Sequence, residues 1–244
     1  MRPFFIALQF LTRLPVNITS EQDETSTAYS LSYYPLVGLI IGTLLASFAW
    51  ILSDAPALLS AGLLLVIWVF VTGGLHIDGL ADSMDAWVGG LGDRERTLAI
   101  MKDPYCGPAG VVGIVLLLLL KFVALHAIVE SGNLIILLLA PLFGRTILLL
   151  LFITTPYVRS NGLGSAIVSH LPRKLNLLVF IITMAMVFFL VGIDSLWLMS
   201  MMILVFILSR ILMMRRIRGM TGDVAGALVE ITEVSILITA VFIH

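Results

Sequence analysis

Apolar residues in this chain run in long blocks, such as VVGIVLLLLLKFVALHAIV over 111–129 and LNLLVFIITMAMVFFLVGI over 175–193. A helix rises about 1.5 Å per residue, so about twenty residues cross the roughly 30 Å hydrocarbon core of a bilayer. The blocks predict seven membrane-spanning helices, at 36–52, 57–73, 111–129, 134–154, 175–192, 196–214 and 223–243. Ahead of them, MRPFFIALQFLTRLPV has a short apolar stretch that ends at Arg13 and Pro15, with no small-x-small cleavage site after it. It reads as a retained interfacial or re-entrant helix. Residues 16–30, the most polar stretch, read as a loop. No period of 20 to 50 residues repeats and no linker divides the chain. The expected architecture is therefore all-α: a single polytopic transmembrane domain over 1–244, a bundle of about seven helices plus the N-terminal one.

Composition agrees with that pattern. The 244 residues are 60% hydrophobic and only 12% charged, too few charges to cover a soluble domain, so lipid must replace water around much of the surface. A net charge of -1 gives no basic footprint for nucleic acid. One cysteine, Cys106, excludes an internal disulfide and a cysteine-cluster metal site. The connections carry a topology signal. Arg2, Arg13, Arg94, Arg96, Lys102, Arg159, Arg173, Lys174, Arg215, Arg216 and Arg218 all fall in alternate connections, whereas those around Asp54, Glu130 and Asp194 hold no Lys or Arg. By the positive-inside rule the N-terminus is cytoplasmic and the C-terminus is outside. All the long, acid-rich connections then face the cytoplasm.

Three segments carry candidate chemistry. In GGLHIDGLADSMDAWVGG (73–90), Asp78, Asp82 and Asp85 fall at i, i+4 and i+7, on one stripe of a helix. Like charges at that spacing repel, and an all-oxygen donor set suits Mg2+ or Mn2+ completed by substrate phosphates. The plainer reading is a solvated helix end. His76 suits a base, a phosphate-orienting group or a hydrogen-bonded interfacial histidine. In RTLAIMKDPYCGPAG (96–110), Lys102 and Asp103 read either as phosphate and metal ligands or as an ordinary charged turn. In RRIRGMTGDVAGALVEITE (215–233), Thr221 or Asp223 can cap a helix on which Asp223, Glu230 and Glu233 lie close to one face, the two glutamates progressively deeper in the span. Ionisable groups at such depth face a bundle interior, a cavity or a partner charge. The arginines before them fit a phosphorylated substrate or a topology anchor. Arg145, inside the fourth span, fits an intramembrane carboxylate partner, a phosphate ligand or a snorkelling residue; Lys121 and His126 receive no assignment.

These motifs together resemble the cobalamin synthase family, the adenosylcobinamide-GDP ribazoletransferases. FLTRLPV stands at 10–16, GGLHIDGLAD at 73–82, IMKD at 100–103, GLG at 162–164 and TGD-x-x-GA-x-x-E-x-x-E at 221–233, all in the family's order. Two departures are Asp85-Ala86, where the family has Asp-Gly, and Arg218-Gly219-Met220, where it has a Gly-Gly pair before TGD. The resemblance implies a Mg2+-dependent membrane transferase. It joins α-ribazole or its 5'-phosphate to adenosylcobinamide-GDP, giving adenosylcobalamin or its phosphate, and GMP.

Carried onto this chain, the resemblance implies Asp78, Asp82, Asp85, Asp103, Asp223, Glu230 and Glu233 as metal-site carboxylates. Asp82, Asp78, His76 and Lys102 would act on the reacting groups, and Arg145, Arg218 and Thr221 would hold substrate phosphate. The expected reaction is attack by the ribazole 5'-oxygen on the cobinamide-side phosphorus, with Asp82 or His76 taking the proton. The expected setting is the bacterial cytoplasmic membrane, with the bilayer as neighbour and room for a homo-oligomer or for association with other corrinoid enzymes. The rival readings are a phosphatidyltransferase, whose D-G-x-x-A-R signature is broken here by Asp82, and a transporter, which predicts midplane carboxylates and internal repeats.

Overall fold

Each of the seven apolar blocks forms a helix in the computed structural model, which describes residues 2–16, 23–159 and 163–243. In chain order the helices are α1 (Arg2–Leu11), α2 (Glu24–Ser30), α3 (Tyr34–Ile51), α4 (Ala57–Thr72), α5 (Leu75–Gly89), α6 (Arg94–Ile100), α7 (Pro108–Ser131), α8 (Ile135–Thr154), α9 (Leu163–Ser169), α10 (Arg173–Val191), α11 (Ser195–Ile217) and α12 (Gly222–Ile243). Among the described residues the sole β-type pairing is an isolated bridge between Tyr157 and Met220. Ten residues give α1 a length of about 15 Å, too short to cross, and it packs on α2 and α3. The loop expected over 16–30 is corrected in part. Residues 17–22 lie outside the described residues, but Glu24–Ser30 is helical because Asp23 caps it, accepting from the Ser26 N–H and Oγ.

Five helical stretches are long and apolar enough to cross a membrane, and α4 with α5, bent by 89°, makes a sixth. One of the five, Arg173–Ile217, is 45 residues long and breaks at Gly192, a left-handed position between α10 and α11. Asn176 near its start bonds Ser32 at the end of the bundle where α3 begins, and Arg210 near its finish bonds the Thr154 carbonyl at that same end. The stretch therefore reverses and crosses twice, as the sequence predicts. The polar connections 73–107, 155–159, 163–172 and 218–221 all meet at this one end. In the middle of the bundle α8 is the most enclosed span, whereas α10 and α11 turn most of their apolar side chains outward, where lipid takes the place of packing.

Helix–helix packing here depends on small residues, since lipid is as apolar as leucine and gives no hydrophobic reward for association. At Gly38 a Cβ would lie 2.4 Å from the Pro141 carbonyl, and at Gly42 one would lie 2.5 Å from Leu138 Cα. The backbones of α3 and α8 thus touch along Gly38-x-x-x-Gly42. Substituting Gly42→Leu should force the helices apart and lower the thermal midpoint of the detergent-solubilised protein, which circular dichroism would register.

Deeper in the bundle, charge joins five helices. Lys121 of α7 contacts Glu230 at 3.0 Å and Glu233, both of α12, and its ammonium stands 4.0 Å from the Trp68 ring centre on α4. Arg145 of α8 pairs with Glu233 and donates from Nη2 to His76 Nδ1 of α5, 3.3 Å away, since a guanidinium can only donate. All five polar side chains are essentially buried. Two cations against two carboxylates leave the group formally neutral, the condition for holding it in a low-dielectric interior. Removing one partner leaves an uncompensated charge, a loss of about 3–5 kcal/mol. Lys121→Met should therefore destabilise strongly, and Lys121→Met with Glu230→Gln, which restores neutrality, should recover much of the loss in thermal unfolding.

Candidate active site

The sharp turn that lays α5 across the bundle end rests on two glycines. Gly73 (φ 64°) and Gly74 (φ 69°) both occupy the left-handed region, open to glycine at no steric cost, and a Cβ on Gly73 would strike the Arg13 side chain at 2.2 Å. Helix α5 then crosses the start of α12 at close range: a Cβ on Gly79 would lie 2.6 Å from the Asp223 carbonyl, and one on Gly226 would lie 3.3 Å from His76 Cα. Spacing on one helix and contact between two thereby bring Asp78, Asp82 and Asp223 together at the end of the bundle where α12 begins.

Their mutual repulsion is visible in Asp82. Partial burial, then the charges of Asp78 and Asp223, push its carboxyl up to about 6; Arg159 opposes them, and Asp85 adds to them. The carboxylates of Asp78 and Asp82 make no hydrogen bond or ion pair with the described residues. Asp223 does: its Oδ2 accepts from Arg159 Nη2 at 2.5 Å and from the Thr221 hydroxyl at 3.3 Å. An apolar cavity of about 170 Å³ opens beside Asp78 and Asp223, with Phe10, Tyr34, Leu148, Phe152 and Ile167 in its wall. A second, of about 210 Å³, shares Phe10, Tyr34 and Ile167 and runs on toward α1 and α2. Anionic headgroup chemistry and an apolar body both find a place here.

Tertiary structure divides the expected site residues. Glu230 and Glu233 belong to the buried charge group, where Lys121 and Arg145 neutralise them, apart from Asp78, Asp82 and Asp223. Arg145 is their intramembrane partner: it is wholly buried and committed to Glu233 and His76. His76 Nδ1 accepts from Arg145, which leaves the ring proton on Nε2, and the residue is 4% exposed. Asp85 turns both oxygens to the first turn of α7, accepting from Gly107 N–H at 2.7 Å and Gly110 N–H at 2.8 Å, which makes it a helix cap supplied from another helix.

Thr221 is fully buried and accepts from the Val224 N–H, the capping role open to it in the sequence. Lys102 and Asp103 lie in an exposed turn after α6, where Asp103 accepts from the Tyr105 N–H; none of their described contacts joins the Asp group. Arg218 is exposed at the left-handed residue that ends α11. Gly162, in the GLG triplet, lies outside the described residues. Two residues without an assigned role prove central, Lys121 in the buried group and Arg159 in the acidic one. A lone lysine within an apolar run was the available signal for Lys121, whereas Arg159 looked like one more cytoplasmic charge.

The donor set suits Mg2+. It is all oxygen, and no group of three or more His, Cys, Asp or Glu side chains forms a ready cage among the described residues. A magnesium site needs only one or two carboxylates when substrate phosphates complete the shell.

Comparison with known proteins agrees with the motifs. The chain is 51% identical over 239 residues to an adenosylcobinamide-GDP ribazoletransferase of Pseudomonas syringae pv. syringae (strain B728a), covering 98% of each chain. It is 49% identical over 238 residues to one of Pseudomonas fluorescens (strain Pf0-1), and 50% identical over 238 to one of Pseudomonas putida (strain W619), each again with 98% of both chains covered. No solved structure matches. Residues 3–241 match the family described as cobalamin-5-phosphate synthase, so nearly the whole chain is covered and the chain belongs to that family.

Proposed function

We propose that this protein is a Mg2+-dependent adenosylcobinamide-GDP ribazoletransferase of the bacterial cytoplasmic membrane, with its acidic site facing the cytoplasm. The observation that carries the reading is the meeting of Asp78, Asp82 and Asp223 at the boundary, beside an apolar cavity. The family match and the relatives' names supply the substrates, and the clustering of the Lys/Arg-bearing connections at the same end supports the orientation. The family match also displaces the phosphatidyltransferase and transporter readings. An amphipathic corrinoid suits such a place, since its body can rest on apolar wall and lipid while its pyrophosphate meets the acids through metal.

One expectation about the reaction needs revision. A cobalamin 5-phosphate, the product in the family's description, keeps its phosphate on O5', so that oxygen is already esterified and cannot attack. The nucleophile is instead a ring hydroxyl of the ribose. It bonds to the cobinamide-side phosphorus, the bond from that phosphorus to the bridging oxygen breaks, and GMP leaves with the electron pair. The hydroxyl proton passes to a carboxylate oxygen of Asp82, whose proton affinity is raised toward the working pH. Asp78 and Asp223 would hold Mg2+, which supplies charge neutralisation for the pyrophosphate and the departing phosphate.

Purified protein given adenosylcobinamide-GDP, α-ribazole or its 5'-phosphate, and Mg2+ should form cobalamin and GMP in equal amounts by mass-resolved chromatography. No product from folded protein with either acceptor refutes the reading. Asp78→Asn should abolish Mn2+ binding measured by electron paramagnetic resonance. Asp82→Asn should keep most of that binding yet lose turnover by about 100-fold or more, the scale of a general base.

The sign of the pH effect follows from the raised Asp82. Below about 6 its carboxyl is protonated and accepts nothing; above, it is ionised. Wild-type kcat/KM should therefore rise from pH 5 to 7, and Asp82→Asn should lack that limb.

A further inference from the structure

Arg159 is set with more care than a topology anchor needs. After α8 ends, residues 156–158 run alongside the turn before α12: the Met220 N–H donates to the Pro156 carbonyl at 2.8 Å, and the Val158 N–H donates to the Met220 carbonyl at 2.9 Å. Gly219 permits that approach, since a Cβ there would lie 2.4 Å from the Pro156 oxygen. The pairing delivers Arg159 to the first turn of α12. There its Nη2 donates to Asp223 at 2.5 Å and to the Met101 carbonyl at 3.2 Å. Its Nε is buried with no partner among the described residues. The pair is only partly closed off, with 25% of the Arg159 side chain and 19% of the Asp223 side chain exposed.

This ion pair differs in kind from the buried one. Lys121, Arg145, Glu230 and Glu233 satisfy one another, whereas among the described residues Arg159 is a single cation set against Asp78, Asp82 and Asp223, which leaves the acidic group short of positive charge. A divalent cation would make up that shortfall, and it would compete with Arg159 for Asp223. A guanidinium released from a carboxylate is well shaped to take two phosphate oxygens.

We infer that Arg159 is the pyrophosphate-binding residue of the nucleotide-activated substrate, held on Asp223 until metal and substrate arrive and then exchanged from the carboxylate to phosphate oxygens. The inference rests on the proposed activity. In the substrate-free protein Arg159 shields Asp223; in the complex it neutralises the pyrophosphate and frees Asp223 for the metal.

Two variants and two binding measurements test it, Mn2+ affinity by electron paramagnetic resonance and adenosylcobinamide-GDP affinity by calorimetry, each beside a thermal midpoint. Arg159→Gln should bind Mn2+ at least as tightly as wild type, because Asp223 loses its competitor, and should bind adenosylcobinamide-GDP roughly ten- to a hundred-fold more weakly, the scale of a charged hydrogen bond. Arg159→Lys, which keeps the charge without the fork, should fall between them. Reciprocally, Asp223→Asn without metal should bind adenosylcobinamide-GDP more tightly than wild type. A bridge that merely held the loop would weaken both ligands together in Arg159→Gln, and would not improve binding in Asp223→Asn; either result overturns the inference. So does wild-type substrate affinity in Arg159→Gln when wild-type protein binds Mn2+ and turns over, and that outcome leaves the proposed activity standing. Wild-type protein that neither binds Mn2+ nor turns over refutes the activity and this role with it.

Discussion

A charge inside a bilayer must find its counter-charge within the protein, because neither water nor ions are there to supply it. The buried group of Lys121, Glu230, Glu233 and Arg145 meets that requirement, and in doing so it fixes helices that lipid alone would leave indifferent to one another. Lys121 brings α7 to α12 and, through the Trp68 face, to α4; Arg145 brings α8 to α12 and, through His76, holds α5. The last of these links matters most for function. Helix α5 packs against α12, α7 and α6, and His76 ties its first turn to the neutral centre. Asp78 and Asp82 inherit their positions from that tie.

The two charge groups lie on opposite sides of a simple distinction. In the interior, cations and carboxylates match in number and each finds a partner, the arrangement of a group that holds structure. At the boundary, three carboxylates meet one arginine, and two of the three have no hydrogen bond at all among the described residues. A fold tolerates such an imbalance where solvent is near, and the unspent negative charge is what the proposed divalent cation would offset. Asp85 shows how little separates the two roles. It belongs to the same stripe as Asp78 and Asp82, yet the two N–H groups at the start of α7 engage both its oxygens, and it becomes part of the frame.

Backbone contact is the other constraint. Glycines at 38, 42, 79, 107, 110 and 219 each stand where a Cβ would press on a neighbouring main chain or on Asp85. Those at 79 and 219 bear directly on the acidic group, since one lets α5 lie on α12 and the other lets the loop after α8 deliver Arg159 to the same place. The acidic group is thus assembled by close approach of three chain segments. Apolar wall from α1, α3, α8 and α9 completes the space beside it, so the short N-terminal helix forms part of the cavity.

The primary sequence by itself determined the membrane class, the seven crossings, the common side of the polar connections and the Asp stripe, because all of these depend on local composition and helical period. Length fixes a span, and spacing fixes a face. Family membership was legible too, in motifs that stand in order along the chain. Tertiary structure alone decided which ionisable residues are matched and which are left over. Lys121 and Glu230 are 109 residues apart, Arg159 and Asp223 are 64 apart, and no periodicity couples such positions. Glu230 and Glu233 looked like an extension of the acidic site because a helix carries them on the same face as Asp223. Depth separated them: about two to three turns further in, a carboxylate must be neutralised by protein, whereas at the end of the bundle solvent is near.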